Sequence, residues 1–76
     1  MAQTTRKSLN RIRVVLAEKD KTNKWLAKQV KKTPVTVSKW CTNSIQPSLD
    51  TLSEIAKVLG VDIRELLNPT LLPNGK

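Results

Sequence analysis

The sequence predicts an all-α domain of about five short helices, and three observations lead to that prediction. Apolar residues recur at helical spacing in successive segments, candidate caps separate those segments, and no stretch alternates apolar and polar residues like a half-buried strand. At 76 residues the chain has room for one compact domain, which buries only about 60% of the surface that its unfolded form exposes. Because the chain has two Trp but no Phe or Tyr, we expect a lean aliphatic core.

The first helix is predicted over residues 8–18. Leu9, Ile12 and Leu16 fall at i, i+3 and i+7, and Val15 widens this apolar stripe. The arginines of the segment lie off the stripe, so they are expected to face solvent. A polar Asp-Lys pair follows the last turn and interrupts the apolar pattern.

The second helix is predicted to begin after Thr22. Threonine caps helices well because its side-chain oxygen accepts a hydrogen bond from a backbone N–H that has no partner inside the helix. Leu26, Ala27 and Val30 form the inward face of this helix. The lysines between them point elsewhere, so the segment is amphipathic.

The boundary before the third helix is the clearest in the chain. Thr33 can accept a hydrogen bond from the backbone N–H three residues on, and the proline after it suits the first helical position, where no N–H is needed. The helix then runs over 34–41, with Val37 and Trp40 as its buried pair. Asn43 can adopt the left-handed conformation that ends a helix.

The fourth helix is predicted to start at a Ser48 cap and to end at Gly60. Its continuous apolar stripe comprises Leu49, Leu52, Ile55, Ala56 and Leu59. Asp62 and Glu65 then form an acidic variant of the capping box, which opens a short fifth helix. The inward residues of that helix are predicted to be Ile63, Leu66 and Leu67.

The positive charge of the chain is concentrated in one half. Residues 1–39 hold 11 Lys and Arg against 2 Asp and Glu, a net charge of +9, whereas residues 40–76 have a net charge of −1. The pI is about 10.2. A segregated excess of this kind indicates a binding face for a polyanion, either nucleic acid or an anionic membrane surface.

The composition also excludes several kinds of site. One Cys cannot form an internal disulfide, and without His no Cys/His zinc site can stabilise the fold. The commonest general base is missing too, and two Gly do not make a phosphate-binding loop, so we expect no enzyme, no metal and no cofactor. With no run of about 18 apolar residues and no apolar signal segment, we expect a cytoplasmic protein.

Residues 22–41 have the spacing of a helix-turn-helix. Only residues 31–33 separate the two short helices. Ala27 lies midway along the first of them, where a small side chain lets the second helix cross closely, and aliphatic residues on both helices anchor the crossing. We therefore predict that the third helix presents its polar N-terminal face to solvent.

Three stretches together carry a resemblance to a known family: TNKWLAKQVKKTPVTVSKW (22–40), PSLDTLSEIAKVLGV (47–61) and DIREL (62–66). By their order and spacing the chain resembles the lambda-repressor-like, XRE-type DNA-binding domain. Lys31 stands where the family usually has Gly in the turn, and Asn43 replaces the Gly after the third helix. A non-Gly residue in a left-handed conformation costs roughly 1 kcal/mol, so we expect local strain and an unchanged architecture.

This resemblance implies that the third helix enters the major groove of double-stranded DNA. The base-contacting positions fall on Pro34, Val35, Thr36 and Lys39. Val35 can touch a thymine methyl, Thr36 can donate or accept, and Lys39 can donate to guanine, while Pro34 offers only apolar contact. The phosphate-contacting positions fall on Asn23, Lys24, Lys28, Lys32, Ser38, Thr42 and Asn43. Each assignment has a plainer alternative, such as an exposed aliphatic side chain, a capping residue or a solvated lysine.

Two residues have open roles. Trp25 is interpreted as a partly exposed cover over the first helix, with contact to the DNA backbone or a partner as the alternative. Cys41 is interpreted as a small residue at a helix end, because nothing in the sequence indicates the lowered thiol pKa of a redox sensor.

The resemblance leads us to expect a sequence-specific DNA-binding protein that represses transcription. We divide the chain into an N-terminal arm (1–7), the helix-turn-helix domain (8–67) and a tail (68–76), with no length for a ligand-sensing domain. Homodimerisation on DNA is expected to use Leu66, Leu67, Leu71 and Leu72.

Two functions are alternatives to DNA binding. The first is a protein-interaction module, such as an antitoxin or co-regulator component; the +9 half argues against it, because binding only protein does not need that charge. Membrane association through the first helix is disfavoured, since its apolar stripe serves the core.

Overall fold

The computed structural model describes residues 8–69. Over that range the chain forms helices α1 (Ile12–Glu18), α2 (Asn23–Val30), α3 (Pro34–Cys41) and α4 (Leu49–Leu59), followed by a 3-10 helix (Ile63–Leu66). The predicted all-α class is confirmed, and the fifth element has the tighter 3-10 form. The arm assigned to residues 1–7 and residues 70–76 of the tail lie outside the described residues.

The caps of three helices are those that the sequence predicts. The side-chain oxygens of Thr22, Thr33 and Ser48 each accept a hydrogen bond from the backbone N–H three residues further on, at 3.0, 3.1 and 3.1 Å. All three residues have the extended backbone that is typical of an N-cap. Local sequence therefore fixes where α2, α3 and α4 begin.

A left-handed residue follows each of the four α-helices. Lys31 has a φ of 58° and Asn43 a φ of 61°, so both replace glycine as expected, and Gly60 has a φ of 71°. Asp20, two residues after α1, also has a φ of 58°, a conformation that the sequence pattern did not predict. Asparagine and aspartate tolerate this region better than most residues, whereas Lys31 is strained there.

A single hydrophobic core connects the helices. Its buried members are Ile12, Val15, Leu16, Leu26, Ala27, Val30, Val37, Trp40, Cys41, Leu52, Ile55, Ala56, Leu59 and Leu66. Trp25 is half-buried and packs against the edge of this core. The core is aliphatic apart from Trp40 and Cys41, as the composition indicates.

The first helix begins later than predicted. α1 starts at Ile12, and Leu9, expected in the apolar stripe, is 39% exposed. The chain before α1 is extended, because Asn10 forms an antiparallel bridge with Leu67 and backbone hydrogen bonds of 2.8 and 2.9 Å flank that bridge. Leu9 fits the helical periodicity of α1, but it lies in an extended segment that pairs with the residues around Leu67.

The same bridge also makes the end of the domain differ from the prediction. Leu67, predicted to point inward, is 41% exposed because it lies in the extended bridge, whereas Leu66 is fully buried. The capping box at Asp62 and Glu65 is confirmed, with the Asp62 N–H donating to the Glu65 carboxylate at 3.3 Å. Hydrogen bonds from the backbone N–H and then the side chain of Arg64 hold the pKa of Asp62 below its ordinary value.

Each of the five elements packs against at least two others. α2 packs against α3 and α4, α1 contacts α3, and α4 packs against the 3-10 helix. Ala27 is 2% exposed in α2, which fits the close crossing predicted for a small residue there. Among the described helices, none combines the length and apolar character needed to cross a lipid bilayer.

Candidate nucleic-acid interface

α3 buries one side and presents the other to solvent. Val37 and Trp40 are 0% and 3% exposed. The exposed residues of the helix are Pro34, Val35, Ser38 and Lys39. Thr36 is half-buried, and its hydroxyl oxygen accepts a hydrogen bond from the Thr33 hydroxyl at 3.0 Å. The predicted base-contacting residues thus occupy one open face, with Thr36 at its edge.

A crevice of about 590 Å³ lies beside the first turn of α3. Lys24, Lys28 and Lys32 line it, together with Trp25 and Pro34. The three lysines are exposed and make no ion pair within residues 8–69. The structure thus brings three of the predicted phosphate-contacting lysines together beside a predicted base-contacting residue.

Trp25 lies among these lysines and is half-buried. The ammonium of Lys21 stands 4.8 Å from the centroid of its ring, within the range of a cation–π contact. The indole therefore carries a cation on one side, packs partly against the core and also lines the crevice.

The start of α2 meets the end of α3 through one hydrogen bond. The Cys41 thiol donates to Oδ1 of Asn23 at 3.4 Å. Burial raises the pKa of the Cys41 thiol, and the nearby Arg13 guanidinium opposes part of that rise. The thiol therefore stays protonated at neutral pH and can donate to Asn23, which agrees with a structural role for Cys41.

The segment after α3 is held inward by Asn43. Its Oδ1 accepts hydrogen bonds from the backbone N–H groups of Leu9 and Asn10, both at 3.0 Å, and from Nε2 of Gln46 at 2.9 Å. Its Nδ2 donates to the Asn10 carbonyl at 3.3 Å. The preceding Thr42 is exposed, with its hydroxyl 2.9 Å from that of Ser44. Asn43 thus faces the protein, whereas Thr42 faces outward.

Asn10 is a structural residue that the helical pattern did not reveal. It is 4% exposed, and its Nδ2 donates to the Trp40 carbonyl at 2.9 Å and to Oε1 of Gln46 at 2.7 Å. Its Oδ1 accepts from the N–H of Ile12 at 3.0 Å, so every polar group of the side chain has a partner. Asparagine just before an apolar helical run is a capping signal, and that signal could have identified it.

A family model described as helix-turn-helix matches residues 5–66, a range that includes every helix described above. The chain belongs to the XRE-type helix-turn-helix family. The resemblance based on the three sequence stretches is therefore confirmed.

One solved structure is also similar to this helix-turn-helix chain. It is the crystal structure of a "putative DNA-binding protein" from Bacteroides fragilis, with 58% sequence identity and a TM-score of 0.78. The similarity covers 79% of this chain and 97% of that one. No curated protein matches the chain.

The predicted dimer patch of the helix-turn-helix chain is altered by the structure. Leu66 is fully buried in the core and cannot contribute to a contact surface. Leu67 is 41% exposed, because the bridge to Asn10 turns it outward. Leu71 and Leu72 lie outside the described residues.

Proposed function

We propose that this helix-turn-helix protein binds double-stranded DNA sequence-specifically and regulates transcription as a repressor. The observation that carries the proposal is the open face of α3, beside which stand lysines that no described carboxylate neutralises. The major groove of DNA admits an α-helix, and phosphates form its walls. An open helix face with cations beside it matches both features.

In this proposal α3 reads the bases. Lys39 donates to guanine O6 or N7, and Val35, 65% exposed, contacts a thymine methyl. Thr36 reads a base edge with its hydroxyl, whose oxygen already accepts a hydrogen bond from Thr33. Pro34 contributes apolar contact and shape.

Phosphate contacts surround this helix. They are assigned to Asn23, Lys24, Lys28, Lys32, Ser38, Thr42 and Asn43. The Asn43 oxygen is occupied by three internal hydrogen bonds, so the contribution of this residue is limited to its Nδ2 group. Such contacts set affinity and register, whereas α3 sets the sequence preference.

A dimer on two half-sites completes the proposal. A single helix-turn-helix makes a small interface with DNA, and two copies on a pseudo-palindrome enlarge it. Leu67, with the leucines at 71 and 72, is assigned to the contact between copies. The protein acts on DNA in the cytoplasm, and this function requires neither a cofactor nor a catalytic group.

The test is selection of bound duplexes from a random library, followed by two matched substitutions. Lys39→Ala is expected to weaken binding by about 1–3 kcal/mol and to relax preference at one base position. Lys28→Ala is expected to weaken all duplexes alike and to reduce the slope of log K against log salt by about 0.9.

Two results would contradict the proposal. An unchanged selected motif in Lys39→Ala would remove α3 as the reading helix. Recovery of no motif by the wild-type protein would instead favour the alternative function of a protein-interaction module.

A further inference from the structure

A second crevice, of about 480 Å³, lies between α1 and the end of α3. Arg13 and Val14 line it from α1, and Cys41, Thr42 and Asn43 line it from the opposite side. No Asp or Glu is among its lining residues. The crevice is thus polar and open, and it lacks any group that would repel an anion.

Two arginines line this crevice, and only one of them is engaged. The Arg11 guanidinium donates to the Glu65 carbonyl at 2.9 Å and lies 3.9 Å from the Glu18 carboxylate. Arg13 is exposed and makes no hydrogen bond or ion pair within residues 8–69. Because a guanidinium presents its N–H donors as a rigid fork that matches phosphate oxygens, Arg13 equips the crevice for a phosphate.

The wall opposite Arg13 is held in place by long-range hydrogen bonds. Asn10 binds the last turn of α3 through the Trp40 carbonyl, and Asn43 binds back to the chain before α1. Thr42, between these two attachment points, is therefore fixed relative to α1. A site that is already ordered loses less entropy when a ligand binds.

The crevice adjoins the phosphate contacts proposed above. Cys41 lines it and donates to Asn23, so the start of α2 reaches the same place. The Arg13 guanidinium lies close enough to Cys41 for its charge to act on the thiol. One region of the surface is thus surrounded by residues from three places in the fold: Arg13 on α1, Asn23 at the start of α2 and Thr42 at the end of α3.

We propose that Arg13 binds a backbone phosphate of DNA in this crevice. The inference rests on the proposed DNA binding and adds a contact that the family resemblance does not supply. Asn10 acts as a positioning residue, because it holds the wall that carries Thr42. The contact contributes to affinity and register but not to base preference.

The experiment compares Arg13→Gln with Lys57→Gln, which removes the same charge from an exposed residue of α4 outside the crevice. Both proteins are titrated with the selected duplex at several salt concentrations. Arg13→Gln is expected to weaken binding about tenfold and to reduce the salt slope by about 0.9, with the selected motif unchanged. Lys57→Gln is expected to change affinity less than twofold.

A duplex with single neutral methylphosphonates locates the contact. At one position, the methylphosphonate is expected to weaken binding by the wild-type protein but not to weaken binding by Arg13→Gln any further. That result would pair the phosphate at this position with Arg13. Inorganic phosphate at the same ionic strength is expected to leave the Arg13 side-chain NMR signal in place, whereas the duplex shifts it. An equal shift with inorganic phosphate would overturn the assignment to DNA.

The outcomes separate this inference from the proposed function. If the wild-type protein binds no duplex, the proposed function fails and takes the Arg13 contact with it. If it binds and Arg13→Gln behaves like Lys57→Gln, only the Arg13 contact is wrong. Arg13 is exposed, so neither result can be attributed to a loss of folding, and circular dichroism checks this directly.

Discussion

The two ends of α3 are stabilised by different kinds of contact. At the first turn, Thr33 caps the helix from the residue next to it, at a hydrogen-bond distance of 3.1 Å. At the last turn, Asn10 reaches the Trp40 carbonyl from 30 residues away in the sequence, and Asn43 reaches Asn10 across 33 residues. The first turn is therefore stabilised by a residue that is its neighbour in the sequence, whereas the last turn depends on contacts that form only in the folded domain.

The charged groups beside the two ends differ in the same way. Three lysines share an open crevice at the first turn, and all of them lie within ten residues of that turn in the sequence. Of the two arginines in the crevice beside the last turn, Arg13 makes no ion pair within residues 8–69, and it comes from a different helix. The first arrangement follows from sequence spacing, but the second exists only after α1 has packed against α3.

Removing the long-range contacts at the last turn of α3 is expected to have the largest effect on stability. Asn10→Ala leaves the Ile12 N–H without a partner and removes the Asn10 amide from the Trp40 carbonyl, which keeps only the Asn43 N–H at 3.0 Å. We expect a cost of about 2–4 kcal/mol in the free energy of unfolding. Urea denaturation measures this loss. The control is Asn68→Ala, which removes contacts to the same N-terminal segment, chiefly to Ser8, but none to the end of α3.

Asn68→Ala is expected to cost less than about 1 kcal/mol, because Asn68 is half-buried and its partners can turn to water. Equal losses in the two variants would show that the attachment of Asn10 to α3 has no special importance.

Replacement by glycine is expected to change the stability in opposite directions at two left-handed residues, Asn43 and Lys31. Asn43→Gly removes the side chain that accepts three hydrogen bonds, and we expect it to destabilise the protein by about 1–2 kcal/mol. Lys31→Gly relieves a strained φ of 58°, and we expect a gain of about 0.5–1 kcal/mol. Thermal unfolding of both variants tests the pair, and two changes of the same sign would be incompatible with this account.

Removing the cap at the first turn of α3 is expected to have a moderate effect on stability. Thr33→Ala removes the cap of α3 and should lower the free energy of unfolding by about 1 kcal/mol. Thr33→Ser keeps a hydroxyl at the same position and serves as the matched control, with an expected change of a few tenths of a kcal/mol. A loss in Thr33→Ala as large as that in Asn10→Ala would remove the distinction between the two ends.

The smallest expected effect is a pH dependence at the capping box of the 3-10 helix. The pKa of Asp62 is lower in the folded protein than in the unfolded chain, because Arg64 donates hydrogen bonds to its carboxylate. Its contribution to stability is therefore present above the ordinary Asp pKa of about 3.9 and is lost as pH falls through the lowered value.

Asp62→Asn should therefore show a slightly weaker fall in melting temperature than wild type on acidification. The loss caused by Asn10→Ala should be the same at neutral and at acidic pH. The groups bonded to the Asn10 amide within residues 8–69 belong to Ile12, Trp40 and Gln46, and none of them titrates. A pH-dependent loss in Asn10→Ala would contradict this.

Much of the fold was predictable because its signals act over short distances. A cap acts on an N–H three residues away, and the left-handed preference belongs to one residue, so Thr22, Thr33, Ser48 and Gly60 could be assigned from the sequence. The open face of α3 follows from the burial of Val37 and Trp40 at helical spacing. Leu9 misled the prediction because an apolar residue at the right spacing does not reveal that its backbone is extended.

The sequence alone predicts the all-α class, the starts of α2, α3 and α4, the helix-turn-helix and the charge on one half of the chain. Only the tertiary structure decided that Asn10 pairs with Leu67, that Asn43 faces inward, and that Arg13 shares a crevice with Thr42. The physical reason is the range of each interaction. Capping and φ preferences are satisfied within one turn, whereas these contacts join residues more than 25 positions apart and form only when the helices have packed.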